Sequence, residues 1–238
     1  MWYKFMKFDF EHQKMHVSRQ SEKDIVVSKN ERRLELLKEA ELLAEKLYGE
    51  IPYHNFDHAK AAVDAGYEII ARCQASGVEV NSDLIRYALL FHDAGYHKDH
   101  NKAGFDSKEE YSAHLAGEAL KNLGMSDDTI ESVKRCIIST HKNKEFNFLE
   151  EKIVRAADLT GLACEYEQFK ENAVKLKEET ELLSGQTISW ETWKKSVAEI
   201  IGFYLSQDIR LTECYKDEDG GSRFHRQTKE NLEKFLME

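Results

Sequence analysis

One histidine of this chain stands where a helix would place a core residue. In the stretch PYHNFDHAKAAVDAGYEI, a helix capped by Asn55 puts His58 on an apolar stripe that continues through Ala62, Ala65 and Ile69. Burying a polar group without a partner costs about 1–3 kcal/mol, so this imidazole needs a partner inside the fold. A neutral imidazole nitrogen is a good ligand for a divalent metal ion, and metal binding is the chemistry that this position indicates.

Four other segments carry a polar residue on their apolar stripe. His92 completes one stripe, with Asp93 beside it at the helix end, and His141 completes another. Carboxylates take the inward positions at Glu109 and Asp158. Taken singly, a core histidine is usually bonded to a backbone carbonyl, and an inward acidic residue is more often a cap or an ion-pair partner. Several such groups on separate apolar faces instead favour one divalent cation that compensates them together.

The predicted cation has mixed nitrogen and oxygen ligands. We expect the metal ligands to be His58, His92, Asp93 and Asp158, with His141 as a further one. This set suits manganese, magnesium, iron, cobalt or zinc and is poor for copper(I). Another histidine of the same region, His114, lines up with polar residues on its own helix, and we expect it on the solvent side.

The order of these residues resembles a known signature. His58, the His92-Asp93 pair and an Asp158 inside IVRAADLTGLA follow the H…HD…D pattern of the HD-domain superfamily of metal-dependent phosphohydrolases, over roughly residues 52 to 165. YHNFDH is similar to the Y-H-N-x-x-H of cyclic-nucleotide phosphodiesterases and of a bacterial group of predicted HD phosphohydrolases. FHDAGY and KEEYSAHLAGEAL resemble that group's F-H-D-A-x-Y and N-E-x-x-S-A-x-x-A. The chain departs from the group at Lys108, where the group has asparagine.

The resemblance implies an all-α bundle with the ligands at its centre and a hydrolase that acts on a phosphoester or phosphoanhydride. It assigns His54 as proton donor to the leaving oxygen. Asp93 or Glu109 is the candidate to orient the attacking water and accept its proton. The metal is expected to polarise a phosphoryl oxygen and lower the pKa of water towards about 7. We expect a small phosphate substrate, preferably a nucleotide. The candidates for stabilising its charge are Lys142, Lys144 and Arg155, each of which is otherwise an ordinary helix-end charge.

Two alternative functions stay open. Some HD-fold proteins hold two irons through an H…HD…H…H…D set and perform oxygen-dependent C–H or C–P cleavage, which here requires His114 or another group to turn inward. In the second alternative the metal is structural, and the bundle is a non-catalytic nucleotide-binding module. The complete ligand set, together with His54, argues against the second alternative.

The elements that must position these groups are helices joined by short turns. Apolar residues recur at helical spacing from Glu31 onward, and Ser82, Ser107 and Ser126 are predicted caps. A long segment from Leu149 is expected to break near Gly161. Two further helices are predicted at about residues 190–206 and 224–236. We therefore expect one all-α HD-type domain over residues 1–238, with a core at about 50–165, a C-terminal helical extension at 166–238 and an added N-terminal helix. The aromatic-rich first thirty or so residues fit a strand or a docking helix equally well.

Composition narrows the environment and the partners. Hydrophobic residues make up 41% and charged residues 33% of the 238, which is enough for a sizeable core. The formal net charge of −10 disfavours a nucleic-acid polymer as partner. We expect no membrane segment or signal peptide, and four dispersed cysteines fit reduced thiols in the cytoplasm. The aromatic residues of the C-terminal extension leave three roles open: core, a wall of the pocket, or the surface of a homodimer.

Overall fold

The computed structural model of the protein describes residues 27–206 and 222–238. The unassigned aromatic-rich start, up to residue 26, lies outside these residues, as does Cys214. Within them all regular structure is helical and there is no strand, so the predicted all-α class is confirmed. None of the helices in these two ranges has the length and apolar character needed to cross a bilayer.

The helices follow one another along the chain, and a long connection, residues 92–107, joins the third helix to the fourth. Residues 27–45 form α1, followed by α2 (Phe56–Ala75), α3 (Ser82–Phe91), α4 (Lys108–Asn122), α5 (Asp127–Ile138), α6 (Leu149–Asp158), a 3₁₀ helix (Leu159–Ala163), α7 (Tyr166–Ser184), α8 (Trp190–Ser206) and α9 (Arg223–Met237). The chain divides into two compact units, Met1–Glu39 and Ala40–Glu238. All predicted site residues belong to the second unit. The single domain over residues 1–238 stays a prediction.

Polar caps fix where the helices begin. The side chain of Asn55 accepts hydrogen bonds from the backbone N–H groups of Asp57 and His58, at 3.0 and 3.2 Å, and thereby starts α2 as predicted. Ser107 and Ser126 cap α4 and α5 in the same way. The cap of α3 is Asn81 instead of Ser82, which is the first helical residue. The predicted break near Gly161 takes the form of the 3₁₀ helix between α6 and α7.

A buried central helix organises the part of the bundle that carries the site. α3 packs against α2, α4, α5 and α6, and its residues 87–91 are all buried. A helix that is apolar on every side belongs in the interior. Because α2 also packs against α6, the helices α2, α3 and α6 meet one another. His92 and Asp93 directly follow the last residue of α3.

The C-terminal helices α7, α8 and α9 form a second apolar cluster. Its buried members are Phe169, Ala173, Trp193, Val197, Ile201 and Phe235. Trp193 is therefore a core residue, and its indole N–H donates to the carbonyl of Ala173 at 2.9 Å. Trp190, in contrast, is 37% exposed. α9 also packs against the 3₁₀ helix, so the C-terminal extension contacts the segment that directly follows Asp158.

Candidate metal centre

Four side chains from three places in the chain converge on one point. His58 lies in the first turn of α2, His92 and Asp93 follow α3, and Asp158 ends α6. One ligand atom from each lies within 4.8 Å of the others. The Nε2 atom of His92 is 3.0 Å from Asp93 Oδ2, and the Nε2 atom of His58 is 3.3 Å from Asp158 Oδ1. The two Nε2 atoms are 3.2 Å apart. The convergence predicted for these four residues is present.

The hydrogen bond of His92 selects which ring nitrogen faces the cluster. Its Nδ1–H donates to the carbonyl oxygen of Leu89 at 2.8 Å, one turn earlier in the chain. When the ring is neutral, a proton on Nδ1 leaves the lone pair of Nε2 directed into the cluster, which is the arrangement found in metal-binding histidines. The carbonyl bond expected of an ordinary core histidine therefore also prepares His92 as a ligand.

The four groups stabilise one another's charged forms. Burial alone would lower the pKa of His58, but hydrogen bonds to Asp158 and Asp93 outweigh it and the pKa is raised. The pKa of His92 is raised well above its ordinary value, because the Asp93 charge overcomes a similar burial effect. Burial would raise the pKa of both carboxyls, yet His92 brings that of Asp93 well below its ordinary value and His58 lowers that of Asp158. In this arrangement the imidazoles act as counter-charges to the carboxylates.

The donor set fits a divalent cation. Two imidazole nitrogens and two carboxylate oxygens lie together, with His92 fully buried and Asp93 8% exposed. These are hard and borderline ligands of the kind that bind manganese, magnesium, iron, cobalt and zinc. A dication would neutralise the two carboxylates and use the two Nε2 lone pairs, so every ligand atom would have a partner.

Buried tyrosines line the centre. The hydroxyl oxygen of Tyr48 accepts a hydrogen bond from the backbone N–H of Asp93 at 3.3 Å. The hydroxyl of Tyr53 approaches the 3₁₀ helix so closely that a Cβ on Gly161 would lie 3.1 Å from it. Burial, reinforced by the nearby Asp93 and Asp158 charges, raises the pKa of both tyrosines. They remain neutral at physiological pH and form a polar but uncharged wall.

His54 is held beside the centre by Glu179, which the sequence analysis did not identify. The backbone N–H groups of Tyr53 and His54 donate to Glu179 Oε2 at 2.9 and 2.8 Å, and His54 Nδ1 bonds to Oε1. Burial would raise the pKa of Glu179, but its bonds to His54 lower it. Helical periodicity does not identify this residue, because the apolar stripe of α7 that contains Ala173 reaches Thr180 and not Glu179.

An aromatic stack extends from His54 to the start of α4. The ring of Tyr96 lies parallel to the imidazole of His54, with centroids 3.7 Å apart and planes at 17°. The Nζ atom of Lys108 lies 3.3 Å from the centroid of the same tyrosine ring. The charge of His54 contributes to lowering the pKa of Asp93, so the stack lies within electrostatic reach of the centre.

Glu109 lies half-buried in the first turn of α4. Burial is the main cause of the raised pKa of Tyr96 and of Tyr204 on α8, and the Glu109 charge adds to both effects. Glu109 therefore lies within electrostatic reach of two tyrosines whose pKa the Asp158 charge also raises. Its role as a base stays a prediction.

His141 lies outside the group of four. It follows the end of α5 at Ile138, so a stripe extrapolated along that helix does not reach it. The backbone N–H of Asn143 donates to its Nδ1 at 3.4 Å. The geometry does not support His141 as a metal ligand. His114 is on the exposed side of its helix as predicted, 3.6 Å from Glu118.

Arg155 serves the fold instead of facing a phosphate. Its buried guanidinium donates to the carbonyl oxygen of Ser139 at 2.9 and 2.7 Å and to that of His141, and so satisfies the carbonyls that follow α5. Arg155 is only 1% exposed, so it is not the ordinary solvated helix-end charge that was the alternative interpretation either. Lys142 and Lys144 are exposed in the loop after α5.

A cavity of about 710 Å³ reaches the centre between α2, the 3₁₀ helix and α7. His58 and Asp158 contribute to its wall, with Tyr53 and Gly161 beside them and Asn172 from α7. Its volume lies within the range of small-molecule sites.

No protein-family model matches the chain, and no curated protein shows significant similarity to it. The fold and the centre alone therefore describe the chain, as an all-α protein with a candidate site for a divalent metal ion.

Proposed function

We propose that the chain is a metal-dependent phosphohydrolase of the HD-domain type. One observation carries the proposal: a histidine oriented by a buried carboxylate lies beside a cluster of two imidazoles and two carboxylates. A structural metal site has no need of such a histidine, whereas hydrolysis of a phosphoester requires a proton donor to the leaving oxygen.

In this proposal His58, His92, Asp93 and Asp158 hold the cation. When bound, a divalent cation supplies Lewis acidity towards a phosphoryl oxygen and favours deprotonation of water near neutral pH. The tyrosine wall limits the access of bulk water, which strengthens electrostatic interactions inside the site.

His54 acts as the proton donor. Its Nδ1 faces Glu179, so its Nε2 is the nitrogen from which a proton passes to the leaving oxygen. The two backbone bonds to Glu179 hold the turn before α2 and with it the ring. A positioned imidazole of this kind contributes about 10²–10⁴-fold to a reaction rate. Glu109 is the candidate to receive the proton of the attacking water.

The proposed substrate is a small phosphate compound, preferably a nucleotide. The cavity volume of about 710 Å³ accommodates a molecule of that size. The net charge of −10 disfavours a nucleic-acid polymer as the substrate. The alternative of a di-iron oxygenase requires more ligands than the four that converge in residues 27–206 and 222–238, and His114 does not supply one.

A substrate screen tests the proposal. The metal-stripped protein is assayed against nucleotides and phosphomonoesters with added Mn²⁺ or Mg²⁺, and the assay is repeated with Asp93→Ala. We expect hydrolysis that depends on the metal and is lost in the variant, while circular dichroism shows that the variant stays helical. Turnover that survives removal of the metal, or no turnover across the whole panel, contradicts the proposal. Two irons per chain with a charge-transfer band would favour the oxygenase.

A further inference from the structure

Lys108 occupies a position that helix stability does not explain. It is the first residue of α4, directly after the Ser107 cap. A cation there opposes the helix dipole, which favours acidic residues in the first turn, and Glu109 and Glu110 follow it. Burial lowers the pKa of the Lys108 ammonium, and the charges of Glu179, Asp93 and Glu109 act in the opposite direction. Within the described ranges no carboxylate forms an ion pair with it.

The ammonium group lies against the aromatic ring of Tyr96. An imidazole ring 3.7 Å away covers one face of the tyrosine ring, so an Nζ atom 3.3 Å from the ring centroid must lie over the opposite face. His54 and Lys108 therefore flank one aromatic ring. An ammonium over an aromatic face is weakly held and is free to move to a stronger anionic partner.

With a dication and a phosphomonoester bound, the site would carry a net negative charge, which one further cation would reduce. A dication and the carboxylates of Asp93 and Asp158 sum to zero, and Glu109 adds a negative charge to the same region. A phosphomonoester brings two negative charges near neutral pH, whereas a phosphodiester brings one. Within residues 27–206 and 222–238, three other basic residues near the site already have partners. Arg155 is bonded to backbone carbonyls, Lys102 is exposed and paired with Asp99, and Lys175, which lines the cavity, is paired with Glu171.

We propose that Lys108 binds a terminal phosphate of the substrate and makes the site selective for phosphomonoesters over phosphodiesters. This inference rests on the proposed function and names the substrate class for that site. The ammonium leaves the face of Tyr96 when the phosphate arrives and contacts one of its oxygens as a point charge.

Orthophosphate binding tests the inference without requiring turnover. Its affinity for the Mn²⁺-loaded protein is measured by calorimetry for the wild type, Lys108→Met, Lys108→Arg and the exposed-loop control Lys102→Met. We expect Lys108→Met to weaken binding about 10-fold, because one charge contact to the phosphate is lost, and the other two variants to stay within about 3-fold of the wild type. No orthophosphate binding by the wild type, or equal affinities for the two methionine variants, would overturn the inference.

Kinetics with two aryl phosphates separate substrate contact from a structural role. For p-nitrophenyl phosphate, Lys108→Met is expected to raise KM about 10-fold, and for bis(p-nitrophenyl) phosphate less than about 3-fold. A lower kcat on both probes with unchanged KM and a lower Tm means instead that Lys108 only supports Tyr96, and the inference fails while the proposed function stands. Lysine-dependent orthophosphate binding without turnover of any phosphoester supports the anion site and contradicts the proposed function.

Discussion

Glu179 shows how one buried side chain sets the geometry of the candidate active site. A single carboxylate accepts two backbone N–H bonds and the ring bond of His54, and it is only 2% exposed. Removing it leaves buried donors without an acceptor, and each such donor costs about 1–3 kcal/mol. The residue therefore links the stability of the turn before α2 to the orientation of the proposed proton donor.

The substitution Glu179→Gln tests this link in activity. The amide oxygen still accepts the backbone bonds, but the amide nitrogen cannot accept a proton from Nδ1 of His54. We expect kcat to fall about 10- to 100-fold with KM changed less than about 3-fold, because the lost interaction matters most in the transition state. Steady-state kinetics give both constants, and the exposed neighbour supplies the control Glu178→Gln. An unchanged kcat would exclude His54 as an oriented donor.

The same carboxylate predicts a pH-dependent stability. Its bonds to His54 lower its pKa below the ordinary value of 4.5. Its contribution to folding is therefore complete above about pH 4.5 and disappears as the pH falls through the lowered pKa. Urea unfolding of the wild type and Glu179→Gln should show the largest difference in unfolding free energy near neutral pH, and a difference that shrinks below about pH 4.5. A difference that stays constant down to about pH 3 would show that the carboxylate is not charged in the fold.

Among the elements, α9 holds the segment that follows Asp158, a candidate metal ligand. The fully buried amide of Asn231 donates to the carbonyl oxygens of Leu162 and Cys164 at 3.2 and 2.8 Å, and its own oxygen accepts from Gln227 at 3.2 Å. These carbonyls belong to the turn that follows Asp158. The C-terminal extension is thus part of the support of the centre.

Replacing Asn231 with leucine should disturb both the fold and the centre. Two buried carbonyls lose their donor, for which we expect a loss of about 2–3 kcal/mol in unfolding free energy. The affinity for Mn²⁺ should fall by about 3- to 10-fold, because Asp158 is less well fixed when its supporting partners are lost. Chemical denaturation and metal titration measure the two effects, and the exposed Glu230→Gln on the same helix is the control. Lost stability with unchanged metal affinity would mean that α9 does not position the centre.

Features of the elements that depend on neighbouring residues were predictable from the sequence. Asn55, Ser107 and Ser126 cap their helices because a cap bonds to an N–H two or three residues away. The apolar stripe of α2 predicted the inward position of His58, because the helix continues through all residues of that stripe. The stripe of α5 does not extend to His141, because the helix ends at Ile138, and His141 lies outside the group of four.

Pairings between distant segments were not predictable in the same way. The bond between His54 and Glu179 spans 125 residues, and that between Asn231 and Leu162 spans 69. Periodicity does not place Glu179 on the apolar stripe of α7, and it does not name the residue that Glu179 meets. That information comes only from the packing of α7 and α9 onto the segments beside the centre.

For the molecule as a whole, the centre concentrates opposite charges in a fold that is acidic overall. Without a cation, protonated His58 and His92 balance the two aspartates, and their pKa values lie above the ordinary 6.5. The stability that these pairs provide is complete below about pH 6.5 and is lost as the pH rises through the raised pKa values. A metal ion competes with the same protons, so its affinity rises over that range.

The stabilisation by metal should therefore grow with pH. We expect Tm of the EDTA-treated protein to fall between about pH 6 and pH 8.5, while Tm with saturating Mn²⁺ changes little, so that the gap widens. A metal present at about 100 times its Kd adds about 2.7 kcal/mol to the unfolding free energy. Differential scanning calorimetry measures both curves. Asp158→Asn should lose most of the gap, whereas the exposed Asp99→Asn should keep it. A gap that narrows with rising pH would show that the imidazole nitrogens are not ligands, because proton competition requires the opposite trend.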